Sequence, residues 1–450
     1  MADFAWQAQF LDPDRSNLED LRQQGYDFVD LIIDQVLNGQ TKPFVKEETL
    51  GIFAIPSQAM ELSDLLMEVR SQILPRALNL HHPGYMGHMD SVPLAITVWA
   101  DVLVSALHNN MLSSELAPVF TQLEAELMIW FAQLFGLSDR GFGTLVAGGS
   151  LANITALLVA RNHRFPESKN RGLEHQRLVA FVSEAAHNSF EKGMNVIGLG
   201  KENLIRIPTN NRGEIDLAKL ELAILASKAK DQIPFFVVAV AGTTVTGAID
   251  PIPKVAEIAK KYGCWFHLDA AYGGAAILSP SYKDLLQGSE LADSITFNPQ
   301  KWMWVSRTCA MLLVSDRSHL DQAFDQQLPY MNEEKLNFGN LTLQGTRRTD
   351  SLKLWLALKA LGTDGYAQLI DHSMENCLKL RRWIEQQPDL ELVCEPTLNI
   401  LCLRSTDPTI SNTKLRQRWI EQNRLWLSLP LWQGDRILKA VVLHPYARAD

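Results

Sequence analysis

Short apolar runs alternate with segments of helical periodicity through the middle of the chain, from about residue 120 to residue 315. Each run is four to six residues long and almost continuously hydrophobic, which is typical of strands buried on both faces. Amphipathic stretches such as residues 254–262 lie between the runs and indicate right-handed crossover helices. The pattern therefore predicts an α/β fold with a mostly parallel sheet flanked by helices. The runs are residues 178–182, 235–240, 294–297 and 310–314.

The two ends of the chain have different patterns. Amphipathic helical stretches predominate up to about residue 80, where we place a domain boundary. Residues 321–340 are polar and have little periodicity, and this length predicts a functional lid, which contains Tyr330. A region of α+β character follows. We therefore predict three parts: an N-terminal helical segment (1–80), a large domain (81–345) and a small C-terminal α+β domain (346–450).

Composition and charge narrow the class of protein. The chain has 450 residues with 46% hydrophobic content, and no apolar run reaches the roughly 20 residues of a membrane-spanning helix. A net charge of −9 disfavours nucleic acid as a partner. The N-terminus shows no basic segment followed by an apolar stretch, so we expect a cytoplasmic protein. The cysteines form no CxxC pair, and the spacing of His81, His82 and His88 matches no common zinc motif, so we expect neither disulfides nor a metal.

Candidate residues for chemistry follow the predicted strands, where parallel sheets bind their ligands. Asp269 ends the apolar strand 265–268, and a carboxylate there must be paired or hydrogen-bonded to stay ionised. Lys301 follows the next strand among aromatic neighbours, which would desolvate its amine and lower its pKa. A lysine that forms a Schiff base and a carboxylate that keeps a pyridine nitrogen protonated are what an enzyme using pyridoxal phosphate requires. His187 and Thr244 also follow predicted strands.

Each of these residues also has an ordinary structural interpretation. Asp269 could form a buried salt bridge, and Lys301 could be an exposed lysine beside a turn. His187 could stack on an aromatic cofactor, or it could be a structural histidine whose ring nitrogens form hydrogen bonds within the protein. Thr244 could orient Asp269 or the cofactor's hydroxyl, or it could belong to a turn. Ala271 could leave room for a flat ring or pack against a neighbouring helix or strand. Single residues therefore leave the question open.

A possible phosphate site precedes a helical pattern. Gly148 and Gly149 allow close approach of an anion to backbone N–H groups at the helix N-terminus, next to Ser150. An N-cap at Ser150 after a glycine turn explains the same residues equally well. Rossmann and Walker signatures do not fit, which disfavours nicotinamide and nucleoside triphosphates.

Taken in order, these motifs resemble those of the group II pyridoxal-phosphate-dependent amino-acid decarboxylases, the family of glutamate, cysteine-sulfinate and aromatic-amino-acid decarboxylases. The resemblance runs from about residue 80 to residue 405 and implies the fold type I architecture of pyridoxal-phosphate-dependent transferases. Its markers are Asn109-Asn110-Met111, Glu115-Leu116-Ala117-Pro118-Val119-Phe120, Gly148-Gly149-Ser150, His187, Gly242-Thr243-Thr244, His267-Leu268-Asp269-Ala270-Ala271-Tyr272-Gly273-Gly274, Asn298-Pro299-Gln300-Lys301 and Ser351-Leu352-Lys353-Leu354-Trp355.

The resemblance implies a role for each of these residues. Lys301 would carry pyridoxal 5'-phosphate as a Schiff base, Asp269 would hold the ring nitrogen, and His187 would stack on the ring. Tyr330 would protonate the substrate's α-carbon from a mobile loop that reaches a neighbouring subunit, which implies a homodimer with shared active sites. Gln300 stands where relatives commonly have histidine, and its amide can still donate to phosphate. The implied cofactor contacts are Gly149, Ser150, His187, Thr244, Asp269, Ala271, Asn298, Gln300 and Lys301.

The substrate implied is a small L-amino acid. Residues 109–120 look most like the glutamate and cysteine-sulfinate branch, and Arg347 falls where those enzymes bind a distal carboxylate, which favours an acidic substrate. His88 and Asp90 lie in a pocket-lining segment that resembles aspartate and diamino-acid decarboxylases, and Asp90 could repel an anion or pair with an amine. Aromatic and diamino substrates therefore stay open.

Two other classes share the expected cofactor. An aminotransferase would return the proton through the lysine and needs no loop tyrosine. A catalytically silent pyridoxal-binding protein would show the cofactor's absorbance without releasing carbon dioxide. A nucleotide-binding protein would show no such absorbance, so cofactor binding and carbon dioxide release separate these classes.

Overall fold

The computed structural model describes residues 14–37, 39, 44, 55–173, 175–324 and 335–447. The α-helices are α1 (Leu18–Leu31), α2 (Leu62–Glu68), α3 (Ala95–Leu107), α4 (Pro118–Leu134), α5 (Gly149–Arg164), α6 (Ser168–Arg171), α7 (Ser189–Val196), α8 (Leu217–Lys228), α9 (Ile252–Tyr262), α10 (Ser318–Phe324), α11 (Ser351–Glu385) and α12 (Asn412–Glu421). The strands are β1 (Phe142–Val146), β2 (Leu178–Ser183), β3 (Leu204–Ile207), β4 (Ile233–Val240), β5 (Trp265–Asp269), β6 (Ser294–Phe297), β7 (Ala310–Val314), β8 (Leu390–Leu392), β9 (Ile400–Ser405), β10 (Leu431–Trp432), β11 (Asp435–Arg436) and β12 (Leu438–Val441).

A seven-stranded sheet forms the centre of the fold, in the order β1-β7-β6-β5-β4-β2-β3. The strands from β6 to β3 pair in parallel, and β7 is antiparallel to both of its neighbours. This confirms the predicted α/β class and the mostly parallel sheet. Every residue of β2, β5 and β6 is buried, which explains why these strands are visible in the sequence as continuous apolar runs.

Two strands of this sheet, β1 and β3, were not predicted from the sequence. The strand β1 contains Gly143, which weakens the strand signal, but a Cβ at that position would lie 2.5 Å from the Leu312 carbonyl oxygen of β7. Close approach of the two backbones therefore requires the glycine. The strand β3 has only four residues, and Arg206 within it is exposed, so its apolar pattern is interrupted.

Helices cover the sheet and hold its carboxyl edge in place. The helix α5 packs against several strands from β1 to β7, and α8 and α9 pack against β4. Side chains from adjacent strands, including Phe181, Phe236, Leu268 and Ile295, are fully buried in one core. Burial of each such side chain contributes roughly 1.5–3 kcal/mol to the free energy of folding. The strand ends that bear the candidate site residues therefore lie on a rigid support.

The C-terminal part consists of α11, α12 and the antiparallel sheet β12-β9-β8. Helical structure continues in α11 beyond Gly362, which itself has a positive φ of 64° and interrupts the helical conformation. Met86 packs in the core of this part, and its backbone bonds to Trp426 and Val441. The predicted boundary near residue 80 therefore falls just before a segment that belongs to the C-terminal core. The division into three parts stays a prediction.

Two of the other predicted segments are only partly described. The N-terminal stretch contains α1 and α2, each followed by a π-helical turn. The predicted lid, residues 321–340, begins within α10, and Tyr330 lies outside the described residues. Across the described ranges, no helix combines the length and the apolar character needed to cross a membrane.

Candidate active site

A cavity of about 270 Å³ lies at the carboxyl edge of the central sheet. The ends of β4 and β5 and the segments that follow β1 and β6 contribute side chains or backbone to it. This is the edge at which parallel sheets bind ligands, because the strand ends leave the backbone open there. All nine residues that the resemblance assigned to the cofactor line this one cavity: Gly149, Ser150, His187, Thr244, Asp269, Ala271, Asn298, Gln300 and Lys301.

Asp269 is the buried carboxylate of the cavity, with 5% of its surface exposed. Asn153 Nδ2 donates to its Oδ2 (3.0 Å), and the Ala271 N–H donates to its Oδ1 (3.2 Å). Both carboxylate oxygens therefore accept a hydrogen bond from the protein. Among the described residues, the side chain that donates to Asp269 is that of Asn153, and Thr244 lines the cavity without a hydrogen bond to this carboxylate. The Thr244 carbonyl instead accepts a hydrogen bond from Lys439 (3.0 Å).

Lys301 faces the same cavity from the turn after β6. Its backbone N–H donates to the Asn298 carbonyl (3.0 Å), which fixes the turn. Desolvation lowers the pKa of the Lys301 amine, and the nearby carboxylates of Asp269 and Asp90 oppose this shift. A lowered pKa leaves more of the neutral amine, the form that attacks an aldehyde.

His187 is held as a hydrogen-bond donor towards the cavity. Its Nδ1 accepts from the Ser189 backbone N–H (3.1 Å), so the neutral ring carries its proton on Nε2. Desolvation lowers the pKa of His187, while Asp269 raises it. The neutral form of the ring is therefore favoured over the charged form at pH 7. The side chain can therefore stack on a ring and offer one N–H to a carboxylate.

The first turn of α5 provides backbone N–H groups for an anion. The helix begins at Gly149, and its N-cap is Gly148 at φ +99°, with no capping side-chain hydrogen bond. Ser150 is therefore not the N-cap, and its exposed hydroxyl is free to bind a ligand. The first N–H groups of a helix have no intrahelical acceptor and favour phosphate.

Two amides complete this end of the cavity, and that of Gln300 fits a phosphate ester such as that of pyridoxal phosphate. Gln300 Oε1 accepts from the Cys309 N–H (2.7 Å), so the group that Gln300 can offer to an anion is its Nε2–H donor pair. Asn298 Oδ1 is buried and has no partner among the described residues, and an unpaired acceptor of this kind indicates that a further hydrogen-bond donor completes the site. Gln300 can thus serve where relatives have histidine.

Gly149→Ala is expected to weaken cofactor binding about tenfold, because packing an extra methyl group against a fixed neighbour costs roughly 1–3 kcal/mol. A Cβ at Gly149 would lie 2.6 Å from Asn298 Nδ2. A titration of the cofactor's absorbance with each protein measures the change. Gly25→Ala, at a position on α1 with open space around it, is the matched control. Equal affinities for wild type and Gly149→Ala would contradict a phosphate site here.

Arg347 does not reach this cavity, which corrects its predicted role as a substrate ligand. Its guanidinium is buried and bonds to Glu124 Oε1 (3.1 Å) and to the Leu145 carbonyl (2.7 Å). Glu124 in turn accepts from Thr144 Oγ1 and from the Leu145 N–H. The pair thus fixes the end of β1 just before the glycine turn, and the Arg347 side chain is directed there rather than into this cavity.

His88 and Asp90 lie beside the cavity rather than in its lining, where their segment places Met89. The His88 ring packs against Trp426, with 5.5 Å between ring centroids. The Asp90 carboxylate forms an ion pair with Arg307. Asp90 still affects the pKa of Lys301, so it lies close enough to influence what enters.

Lys439 is a functional candidate that sequence reasoning missed. It lies on β12 with 3% of its surface exposed, and its Nζ donates to the carbonyl of the cavity residue Thr244. The pKa of Lys439 is lowered to about 8, mainly by desolvation and in smaller part by Lys301, while Cys402 and Asp90 oppose the shift. The sequence contained an indication of this role, because Lys439 is the single charged residue of the apolar strand Leu438-Lys439-Ala440-Val441. Lysine is rarely buried unless its ammonium group has a partner.

Comparisons with known proteins identify the family of this chain. The model of the pyridoxal-dependent decarboxylase conserved domain matches residues 48–406. A glutamate decarboxylase-like protein of Gibberella zeae is 35% identical over 396 residues, covering 79% of this chain and 76% of the relative. The L-2,4-diaminobutyrate decarboxylase of Acinetobacter baumannii is 32% identical over 373 residues, covering 78% of this chain and 73% of the relative.

The crystal structure of mouse CSAD in its apo form superposes with a TM-score of 0.89 at 27% identity, covering 95% of both chains. The chain belongs to the pyridoxal-dependent decarboxylase family and is a pyridoxal-phosphate-dependent amino-acid decarboxylase.

Proposed function

We propose that this decarboxylase acts on an acidic L-amino acid, such as aspartate, glutamate or cysteine sulfinate. Lys439 is the observation that supports the proposal. Its ammonium group lies beside the cavity and bonds to the Thr244 carbonyl, and among the described residues it forms no ion pair with a carboxylate. A buried ammonium group without a counter-ion is costly, and the distal carboxylate of a bound substrate would supply one.

The other charges around the cavity are already paired or committed. Arg307 neutralises Asp90, and Glu124 neutralises Arg347. Lys301 and Asp269 face the cofactor position. Among the described residues around the cavity, Lys439 is thus the positive charge left for a substrate, and an acidic side chain complements it.

Each polar residue of the cavity has its own role in the proposed reaction. When bound, pyridoxal phosphate supplies an electron sink for the electron pair left when carbon dioxide departs. Asp269 would accept a hydrogen bond from the protonated ring nitrogen and so keep that nitrogen cationic. Lys301 would hold the cofactor covalently, and its Nζ could carry a proton when it is free. His187 offers its Nε2–H to a substrate carboxylate.

A screen of carbon dioxide release over L-amino acids tests the substrate class. With the cofactor supplied, we expect kcat/KM to be highest for aspartate, glutamate or cysteine sulfinate and much lower for 2,4-diaminobutyrate, lysine, tryptophan and tyrosine. A preference for a diamino acid would favour the alternative in which Asp90 binds the distal amine after Arg307 moves away. A preference for an aromatic acid would contradict both.

We further propose that two copies form a dimer with shared active sites and that Tyr330 of one chain protonates the substrate's α-carbon in the other, as the resemblance implies. Apolar side chains on one side of α3 and at the start of α4 are more than a third exposed, which favours a partner surface there. These side chains are Ile96, Val102, Leu103, Leu107, Leu116 and Val119.

Mixing two inactive variants tests this arrangement. Lys301→Ala and Tyr330→Phe should each fail to form amine, and unfolding and refolding them together should recover roughly a quarter of wild-type activity. Random assembly makes half of the dimers mixed, and each mixed dimer has one intact site if the sites are shared. No recovery, with dimers verified by light scattering, would contradict sharing.

A further inference from the structure

A line of hydrogen bonds runs from the buried sheet to Asp269. Trp265 Nε1 on β5 lies 2.8 Å from Ser294 Oγ on β6. Ser294 Oγ lies 2.8 Å from His267 Nδ1, and His267 Nε2 lies 3.2 Å from Asn153 Oδ1 on α5. Asn153 Nδ2 lies 3.0 Å from Asp269 Oδ2. Three elements of the fold thus meet in one chain of polar side chains that ends at the cavity.

The donors and acceptors of this chain can be assigned from its two ends. An ionised Asp269 only accepts, so Asn153 must present its Nδ2–H to it and its Oδ1 to His267. His267 Nε2 must then carry a proton and donate. At the other end, the Trp265 N–H can only donate, so Ser294 Oγ accepts from it. The Ser294 hydroxyl then donates its own proton to His267 Nδ1. Burial lowers the pKa of His267 to about 4, although Asp269 opposes the shift, so the ring is neutral at pH 7 with Nε2 protonated.

We propose that Trp265, Ser294, His267 and Asn153 are positioning residues that fix the direction of these hydrogen bonds and thereby keep Asp269 an acceptor for the protonated ring nitrogen of the cofactor. The proposal rests on the role given to Asp269 above. If Asn153 were free to turn its amide, Oδ1 would face the carboxylate, and Asp269 would have to take up a proton to avoid repulsion. The ring nitrogen would then lose its partner.

Packing alone does not explain a histidine at this place. His267 is fully buried, stacks on Phe236 with 5.4 Å between ring centroids, and meets Phe190 edge-on at 5.8 Å. A phenylalanine would suit such aromatic surroundings better, since it has no polar atoms to satisfy. The imidazole adds an acceptor on one side and a donor on the other, which is what the chain of hydrogen bonds needs.

Two variants at position 267 separate positioning from packing. His267→Phe keeps the aromatic contacts and removes both hydrogen bonds, whereas His267→Gln can accept from Ser294 with Oε1 and donate to Asn153 with Nε2. We expect His267→Phe to lower kcat and cofactor affinity roughly tenfold, in the range seen when outer hydrogen-bond partners of a site are removed. His267→Gln should recover most of both losses. A glutamine variant no better than the phenylalanine variant would overturn the proposal.

The tautomer can be measured without any reaction. Nitrogen-15 NMR of cofactor-free protein labelled at histidine, with His267 assigned by substitution, should show one neutral ring protonated at Nε2 and unprotonated at Nδ1 throughout pH 6–8. The opposite tautomer would reverse the direction of the chain, and a charged ring would donate at both nitrogens, so either result would overturn the proposal. Thermal unfolding of the variants checks that they fold.

Asp269→Asn distinguishes failure of this proposal from failure of the site assignment. If Asp269→Asn leaves kcat and the cofactor spectrum unchanged, the role of Asp269 itself is wrong. If Asp269→Asn loses most activity while His267→Phe behaves as wild type in kcat and cofactor affinity, only the positioning chain is wrong. Losses in both variants, with recovery by His267→Gln, support the proposal.

Discussion

Lys301→Ala is expected to lose decarboxylation by roughly 10³-fold or more, as enzymes do when the residue that makes the covalent link is removed. The side chain lies in the cavity, and its pKa is lowered by desolvation, so it is the amine prepared for attack on the cofactor aldehyde. The variant should also lack the visible absorbance of covalently held cofactor. Carbon dioxide release and an absorption spectrum measure both effects.

The fold should survive this change. Lys301 faces a cavity rather than the packed core, so cofactor-free wild type and variant should unfold at similar temperatures. Lys230→Ala, a change of an exposed lysine after α8, is the matched control and should behave as wild type. Borohydride reduction that fixes the cofactor to a different lysine, or a Lys301→Ala variant with normal turnover, would show that the assignment is wrong.

Lys439→Met is expected to lower kcat/KM for the acidic substrate roughly 10- to 100-fold, because a hydrogen bond to a charged group contributes about 1.5–3 kcal/mol. The loss should fall mainly on KM, since a distal carboxylate is held equally in the ground state and the transition state. Cofactor absorbance should be unchanged. Steady-state kinetics with the best acidic substrate measures the effect.

The same variant should make the cofactor-free protein more stable. Burial lowers the pKa of Lys439 to about 8 from the usual 10.5, so at pH 7 the charged form destabilises the folded state relative to the unfolded state. This penalty decreases as the pH rises from 8 to 10.5, and methionine removes it. Lys439→Arg, which keeps the charge, is the control and should retain more activity towards the acidic substrate than methionine does. If Lys439→Met changes stability but not KM, Lys439 does not bind substrate.

The strands that carry the site could be located from the sequence because they are buried on both faces. Such strands appear as continuous apolar runs, and a polar residue just after a run falls at the edge where ligands bind. Asp269 at the end of β5 and Lys301 after β6 were found in this way. The shorter and interrupted strands β1 and β3 gave no comparable signal, since their patterns depend on neighbours elsewhere in the chain.

Contacts between segments that lie far apart in the chain could not be predicted from the sequence in the same way. Arg347 was predicted to bind substrate, but its charge is taken by Glu124, 223 residues away in the chain. Asn153, taken from the sequence as part of a helical pattern, supports Asp269 from 116 residues away. Lys439 reaches Thr244 across 195 residues. In each case the side chain's role depends on its partner, and no local pattern encodes that partner.

The sequence by itself thus determined the fold class and, through its ordered motifs, the family and its cofactor, because hydrophobic burial sets the strands and residues such as Asp269 and Lys301 lie at or soon after a strand end. The tertiary structure decided which charged side chains are paired with one another and which side chain bonds to Asp269. The physical reason is that ion pairs and hydrogen bonds act over a few ångströms, so their partners are defined only when β12, α5 and the strand ends have come together.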